Sequence, residues 1–328
     1  AMEFGVRPVL EEAAGMRCGP TLGLCYNPEF IALGSVVRDF LHPDLVLLGE
    51  SEAWAGDAVA SVYRRVCDPV PEIVRMGFAS AELAKVGLNS FVTTKISFAN
   101  MLVELCEELP GANADDVCRA LGLDGRIGAR ALRGGLGYGG PCFPRDSVAL
   151  AALARALGRP AAIPEAVDRV NGGVVERVVA HVRQHLPLAG RVGILGLAYK
   201  AGTPIVECSH ALQIAERLAA GHVPVTVCDG LPGTAARAVL GDTVAWAVTP
   251  AACIAEADVA VLATADPALA HDFARAVAGR TRPLTLIDCW RLCSDDDLPP
   301  SVRRVALGVG EATPPRRERL RALWAEAG

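Results

Sequence analysis

The residues best suited to chemistry gather around Cys142. It closes a glycine-dense run, Arg133-Gly134-Gly135-Leu136-Gly137-Tyr138-Gly139-Gly140-Pro141-Cys142-Phe143-Pro144, and stands four residues before Asp146, at the threshold of a predicted helix. The backbone amides of such a loop can approach a ligand closely, because glycine has no side chain to hold them off. A thiol beside a helix N-terminus is the setting that lowers a cysteine pKa and yields the nucleophilic thiolate. Nucleophilic catalysis at Cys142 is the chemistry this implies, with buried, inert thiols expected for most of the other cysteines. Of the eleven cysteines only Cys289 and Cys293 sit close, at x3 spacing, and no second pair completes a zinc quartet, so no metal site is expected. Scattered thiols in odd number read as reduced cysteines of a cytoplasmic protein.

Lys85 and Asn89 are four residues apart in a helical segment and therefore share a face. An ammonium beside a carboxamide makes a donor pair for an oxyanion, although the same spacing also describes a surface lysine next to a neutral asparagine. Glu29 follows Asn27-Pro28 just after a strand, a place for a catalytic carboxylate or for an exposed turn glutamate. Among 32 basic residues the lysines are Lys85, Lys95 and Lys200 alone. A GC-rich genome explains the arginine bias, and the positions that keep lysine become candidates for chemistry that needs a tunable pKa.

The elements that must position these groups indicate an α/β protein. In residues 181–328, β-branched runs at 191–196, 223–228, 244–247, 259–264 and 284–288 alternate with helices such as 211–220 and 234–240. This pattern predicts a doubly wound, Rossmann-like parallel sheet. Residues 76–180 are helical, with segments at 81–108, 115–121, 146–157 and 164–186. Residues 1–75 hold a helix at 6–14, strands at 22–26 and 46–49 and a helix at 54–66, too little to close a sheet of their own. They read as the remnant of a second Rossmann domain, and their first residues, Ala1-Met2-Glu3-Phe4, read as a cloning remnant. The turn Gly193-Ile194-Leu195-Gly196-Leu197-Ala198-Tyr199 has G-x-x-G spacing where the dinucleotide fingerprint needs G-x-G-x-x-G. Asp229 ends the next strand, where a ribose-binding acid would stand.

Composition removes several classes. Hydrophobic residues make up 52% and charged residues 21%, which excludes global disorder. No stretch approaches the roughly 18 uninterrupted apolar residues of a membrane helix. The formal charge is −5, and the first basic cluster is Arg316-Arg317-Glu318-Arg319, so no nucleic-acid partner is expected.

Taken together, the segments resemble the nucleotide-sugar (UDP-glucose/GDP-mannose) 6-dehydrogenase family. The resemblance is carried by Asn27-Pro28-Glu29-Phe30, by Ala81-Glu82-Leu83-Ala84-Lys85 with Asn89, and by Arg126-Ile127-Gly128. Gly137-Tyr138-Gly139-Gly140-Pro141-Cys142-Phe143-Pro144-Arg145-Asp146 and Gly196-Leu197-Ala198-Tyr199-Lys200 complete it. The resemblance implies NAD-dependent oxidation of a hexose C6 alcohol to a uronic acid in two steps, through a thiohemiacetal and a thioester on Cys142. Lys85 and Asn89 would stabilise oxyanions, and Asp146 and Glu29 would position or activate water. Phe30, Arg133, Tyr138, Gly139, Phe143, Tyr199 and Lys200 would contact a UDP- or GDP-sugar, a UDP-hexose by preference. Arg126 would reach the partner's site in a homodimer formed by the central helices. Polysaccharide or specialised-metabolite sugar supply is the implied setting.

The departures are as specific as the matches. There is no G-x-G-x-x-G turn for NAD, Leu33 replaces a glutamate, and Glu207 stands where the family usually has an arginine that touches NAD. Asp288-Cys289-Trp290-Arg291 replaces Asp-Gly-Arg. The chain is therefore expected to be a truncated or naturally shortened member, inactive alone. Two alternatives are a non-catalytic sugar-nucleotide-binding or partner subunit and a cysteine enzyme of acyl transfer.

Overall fold

A computed structural model describes residues 1–230, 233–311 and 314–326, without the side chains of 314–316, 324 and 326. The chain forms two compact units, Ala1–Asn89 and Ser90–Gly328.

In the first unit a π-helical turn, Met2–Val6, runs into α1 (Arg7–Ala14), which has Pro8 in its first turn and ends at Gly15 with φ +64°. Then come β1 (Cys25–Tyr26), α2 (Val36–Leu41), β2 (Leu45–Glu50), α3 (Ala53–Val66) and β3 (Glu72–Met76). β2 lies between β1, which is antiparallel to it, and β3, which is parallel. Val46 and Leu48 pack against Ala60 and Tyr63 of α3 and against Cys67, the small core of this unit. The sequence places strand 22–26 correctly but too long: Leu22 closes a turn onto the Gly19 N–H (2.8 Å), and the Leu24 N–H goes to the Ser51 hydroxyl (2.9 Å). It also misses α2 and β3, so these residues do build a small mixed sheet. β3 is disguised by Glu72 and Arg75, and Arg75 pairs with Glu50 of β2 at 2.8 Å. The sequence boundary at 75–76 coincides with the end of β3. The division into compact units falls later, inside α4 (Phe78–Glu108).

In the second unit, α5 (Ala114–Gly122) is capped by Asn113, whose side chain accepts from the Asp115 N–H. α6 (Phe143–Ala156) and α7 (Ala162–His185) complete the helical region. The sheet domain follows as β4 (Val192–Leu195), α8 (His210–Ala220), β5 (Val225–Cys228), α9 (Thr234–Leu240), β6 (Ala245–Trp246) and α10 (Pro250–Ile254). β7 (Val259–Leu262), α11 (Pro267–Val277), β8 (Leu284–Asp288), β9 (Val302–Ala306) and α12 (Pro314–Glu326) end it.

The strands are all parallel in the order β6-β5-β4-β7-β8-β9, the doubly wound sheet expected. Strand alternation explains why both faces are apolar. Ile194, Val259 and Val261 face a core with Val174, Val178, Ile214 and Leu218, while Leu195, Ala260 and Leu262 face Ile254, Phe273 and Val277. β9 escapes the sequence analysis because Arg303 and Arg304 interrupt it, and those charges suit the edge strand it is. The basic cluster 316–319 falls in α12, with the Arg316 side chain outside the described residues. Among the described residues no helix is long and apolar enough to cross a membrane.

Candidate functional site

The glycine loop is fixed through its backbone. Asn100 on α4 accepts from the Gly135 N–H at 2.9 Å and donates to the Leu136 carbonyl at 3.4 Å. Asn171 on α7 clamps Tyr138 from both sides, accepting its N–H at 2.9 Å and donating to its carbonyl at 3.1 Å. Arg291 donates to the Gly134 carbonyl (2.7 Å), Arg177 to that of Gly135 (3.3 Å), and the Gly140 N–H donates to the Glu207 carbonyl (2.8 Å). Buried backbone groups outside regular structure need such partners. Gly137 is obligatory: a Cβ there would strike Asn171 Oδ1 and His210 Nε2. Gly140 has φ +79°, and a Cβ on it would meet the Tyr199 ring at 2.7 Å. A Cβ on Gly139 would come closer still to the Cys208 carbonyl, so the loop lies directly on the segment after β4.

At the end of this loop Cys142 is the N-cap residue of α6 and is exposed. Its carbonyl accepts from the N–H of Asp146 (2.9 Å), a buried residue in the first turn whose carboxylate takes the Arg145 Nε at 3.1 Å. Phe143 meets the Tyr138 ring edge-on at 6.4 Å. Tyr138 is itself buried, 4% exposed, and its hydroxyl donates to Asp168 at 2.7 Å. Burial, followed by the Asp168 contact, pushes this phenol far above its ordinary value. Burial also raises the Tyr199 phenol, and its ring lies against Gly140, two residues before Cys142. Lys200 Nζ lies 5.7 Å from the Tyr199 ring. Arg133 donates to the Trp290 carbonyl at 2.7 Å and lies 5.9 Å from its ring. Arg126 is exposed and held by Asp124 through Nε (3.0 Å) and Nη2 (2.6 Å).

The other thiols contrast with Cys142. Cys67, Cys106, Cys118, Cys228, Cys253, Cys289 and Cys293 are buried. Burial pushes the thiols of Cys253 and Cys293 up to about 12. Cys208 is exposed as well, but partial burial and Glu207 raise its pKa.

In the first unit Lys85 Nζ donates to the Glu29 carbonyl at 2.6 Å and lies 4.6 Å from the centre of the Phe30 ring. Asn89, one helical turn on, is buried. The Tyr63 hydroxyl lies 2.7 Å from Asn27 Oδ1 and 3.1 Å from Glu29 Oε1. Burial and the Glu29 charge push this phenol up to about 12, so it stays a donor. Lys85, Glu29 and Phe30 are thus brought together in one unit, and Cys142, Asp146, Tyr138, Gly139, Phe143, Tyr199 and Lys200 in the other.

Sequence analysis missed Tyr63, Asn100, Asp168, Asn171 and His210. The signal for Asn100 and Asn171 was a lone amide in an apolar helical stretch. It also left Lys95 without a role: its Nζ binds the carbonyls of Ile127 (3.1 Å) and Gly128 (2.9 Å) and holds the turn that carries Arg126.

Neither crossover fits a dinucleotide pyrophosphate. After β4, the amides of Leu197 and Ala198 both donate to Asp229 Oδ2, at 2.6 and 3.0 Å, so a carboxylate holds the place a phosphate would take. Asp229 is therefore turned onto the backbone through that oxygen. After β2 the chain enters α3 through Glu50-Ser51-Glu52, which offers carboxylates and no glycine. No cluster of metal-ligating side chains occurs among the described residues.

A doubly wound parallel sheet joined to a helical region, with an exposed thiol below a clamped glycine loop, defines an α/β protein of the nucleotide-binding class. Residues 79–172 match the central domain of the UDP-glucose/GDP-mannose dehydrogenase family and residues 193–295 match its UDP binding domain. The chain belongs to that family. It is 37% identical over 263 residues to the UDP-glucose 6-dehydrogenase AglM of Haloferax volcanii, a match that covers 79% of this chain and 60% of that protein. To the UDP-glucose 6-dehydrogenase of Rhizobium meliloti it is 33% identical, over 83% of this chain and 63% of the relative. A solved UDP-glucose dehydrogenase from Pyrobaculum islandicum superposes with a TM-score of 0.79 at 32% identity, over 94% of this chain and 66% of that one. The chain thus spans about three fifths to two thirds of the length of these relatives.

Proposed function

We propose that this chain is the sugar-nucleotide-handling part of a nucleotide-sugar 6-dehydrogenase that takes a UDP-hexose, UDP-glucose first among them. Cys142 is the nucleophile that holds the C6 carbon covalently while it is oxidised, and Asp146 and Glu29 handle the water that releases the acid. Lys85 and Asn89 donate to the oxyanions formed at that carbon. The loop from Arg133 to Phe143, with Tyr199 and Lys200, binds the nucleotide sugar. Phe30 contacts the sugar nucleotide, and Arg126 serves the partner's site in a homodimer. NAD is the oxidant that the family implies. The turns after β2 and β4 do not suit its pyrophosphate, so no step of the reaction is assigned to it here.

The observation that carries this reading is the exposure of Cys142 at the start of α6, at the end of a loop whose backbone is already fixed and whose Gly140 lies against the Tyr199 ring. Calorimetry with UDP-glucose and GDP-mannose tests it. UDP-glucose is expected to bind with one site per chain, and added NAD is expected to give no NADH absorbance. Absence of heat with every UDP- and GDP-sugar would remove the reading. A second reading, a non-catalytic sugar-nucleotide-binding or partner subunit, is favoured by the carboxylates at both crossover turns. Robust NADH formation would exclude it.

A further inference from the structure

Lys85 and Lys200 have places in the proposed reaction, and Lys95 has none. It stands half-buried on α4, and its Nζ donates to two consecutive carbonyls, Ile127 at 3.1 Å and Gly128 at 2.9 Å. Consecutive carbonyls of an extended chain point to opposite sides, so they meet one donor only where the chain turns. Gly128, with φ +71°, makes that turn. An ammonium is a compact charge that suits two converging oxygens better than the planar fork of an arginine. Arginine fills nearly every other basic position of this chain, and the geometry gives a reason for lysine at 95.

The turn is also fixed from within. The Asp124 carbonyl accepts from the N–H groups of Ile127 and Gly128, both at 2.9 Å, and Asp124 Oδ1 accepts from the Arg126 N–H at 2.9 Å. The side chain that this frame carries points to solvent: that of Arg126 is 89% exposed. Asp124 holds its Nε and Nη2, while Nη1 makes no hydrogen bond to the described residues. The guanidinium therefore keeps an outer edge for an anion. Holding residues 127 and 128 fixes the Cα from which this long side chain leaves. An arginine that meets an anion on another molecule binds better when it is ordered beforehand.

We propose that Lys95 is a positioning residue for Arg126: its ammonium pins the 124–128 turn, so that the guanidinium is presented at a fixed place to the anionic nucleotide sugar of the partner's site. This rests on the reading that Arg126 serves that site, whereas the pinning of the turn can be measured without it.

Two measurements on the full chain test the proposal. Limited trypsin digestion followed by mass spectrometry reports the turn, because Arg126-Ile127 is a tryptic bond. Lys95→Met keeps the stem and removes the donors. It should speed cleavage after Arg126 at least tenfold and leave cleavage after Arg38, in the first unit, unchanged. Lys95→Arg keeps the charge and should give a smaller, several-fold rise; it supplies the comparison if Lys95→Met unfolds. Calorimetry with UDP-glucose reports the site. Arg126→Ala should weaken binding at least tenfold and Lys95→Met several-fold, but Lys95→Met added to Arg126→Ala should weaken it no further. A merely structural lysine would cost the same factor in both backgrounds. Unchanged cleavage after Arg126 in folded Lys95→Met, or equal losses of affinity in the two backgrounds, would overturn the proposal while leaving Arg126 its role. Full affinity in Arg126→Ala would instead remove the reading of Arg126, and the positioning role with it, even where the turn loosens.

Discussion

Asn100, Asn171, Arg177 and Arg291 reach in from α4, α7 and the turn after β8 to hold the backbone of residues 134–138. The Lys85 group is secured differently: the Glu29 carbonyl and the Phe30 ring meet the ammonium, and the Tyr63 phenol meets Glu29. The glycine loop is locked by buried Asn100 and half-buried Asn171, Arg177 and Arg291, whose loss would strand backbone groups of a buried loop. The lysine is half-buried and sits on a long, rotatable stem. The difference teaches where rigidity was placed: in the segment that leads to the thiol. A fixed loop loses little entropy when a ligand docks on it, and under the function proposed above the lysine would be free to follow charge as it develops.

The comparison can be broken most directly at Asn171. Asn171→Ala leaves both polar groups of Tyr138 without partners in a buried setting. Unfolding free energy from urea titration should fall by about 2–4 kcal/mol, the sum of two lost hydrogen bonds and their desolvation. The matching change in the other unit, Tyr63→Phe, removes one hydroxyl shared by Asn27 and Glu29 and should cost about 1 kcal/mol. Equal losses for the two variants would mean that the loop is no more tightly held than the lysine group.

The smallest effect sharpens the comparison through pH. His210 Nε2–H donates to the Asn171 carbonyl (3.0 Å), and Nδ1 is buried with no hydrogen-bond partner among the described residues. Burial holds the imidazole below its ordinary value of 6.5. The unfolded chain therefore takes up a proton near pH 6.5 that the folded chain refuses until lower pH. The stability His210 contributes is complete above 6.5 and is lost as the pH falls below it. His210→Gln should flatten the decline between pH 7 and pH 5 in denaturation experiments, and an unchanged slope would assign the acid sensitivity elsewhere.

Much of the sheet domain was legible because its strands are short β-branched runs bounded by turns, and burial on both faces demands that composition. β3 and β9 were hidden by the arginines that make them tolerable at sheet edges, Arg75 in one and Arg303 with Arg304 in the other. Cys142, Lys85 and Glu29 stood out by residue type and local spacing, and Asp146 through the family resemblance. Their supports did not. Asn171 lies 33 residues from Tyr138, Asn100 lies 35 from Gly135, and Arg291 lies 157 from Gly134, separations that no local periodicity encodes. Asp229 shows the converse. Its position at the end of β5 suggested a ribose acid, and only the backbone of the β4 turn shows what its carboxylate already binds.

The central claim is that the Cys142 sulfur faces the sugar of a bound UDP-hexose, and its alkylation tests this most directly. Peptide mass spectrometry after brief iodoacetamide treatment should show Cys142 labelled ahead of Cys208, the other exposed thiol, and the buried cysteines unlabelled. Saturating UDP-glucose should slow labelling of Cys142 by at least tenfold and leave Cys208 much less affected. A Cys142 labelling rate unchanged by bound UDP-glucose would contradict the account.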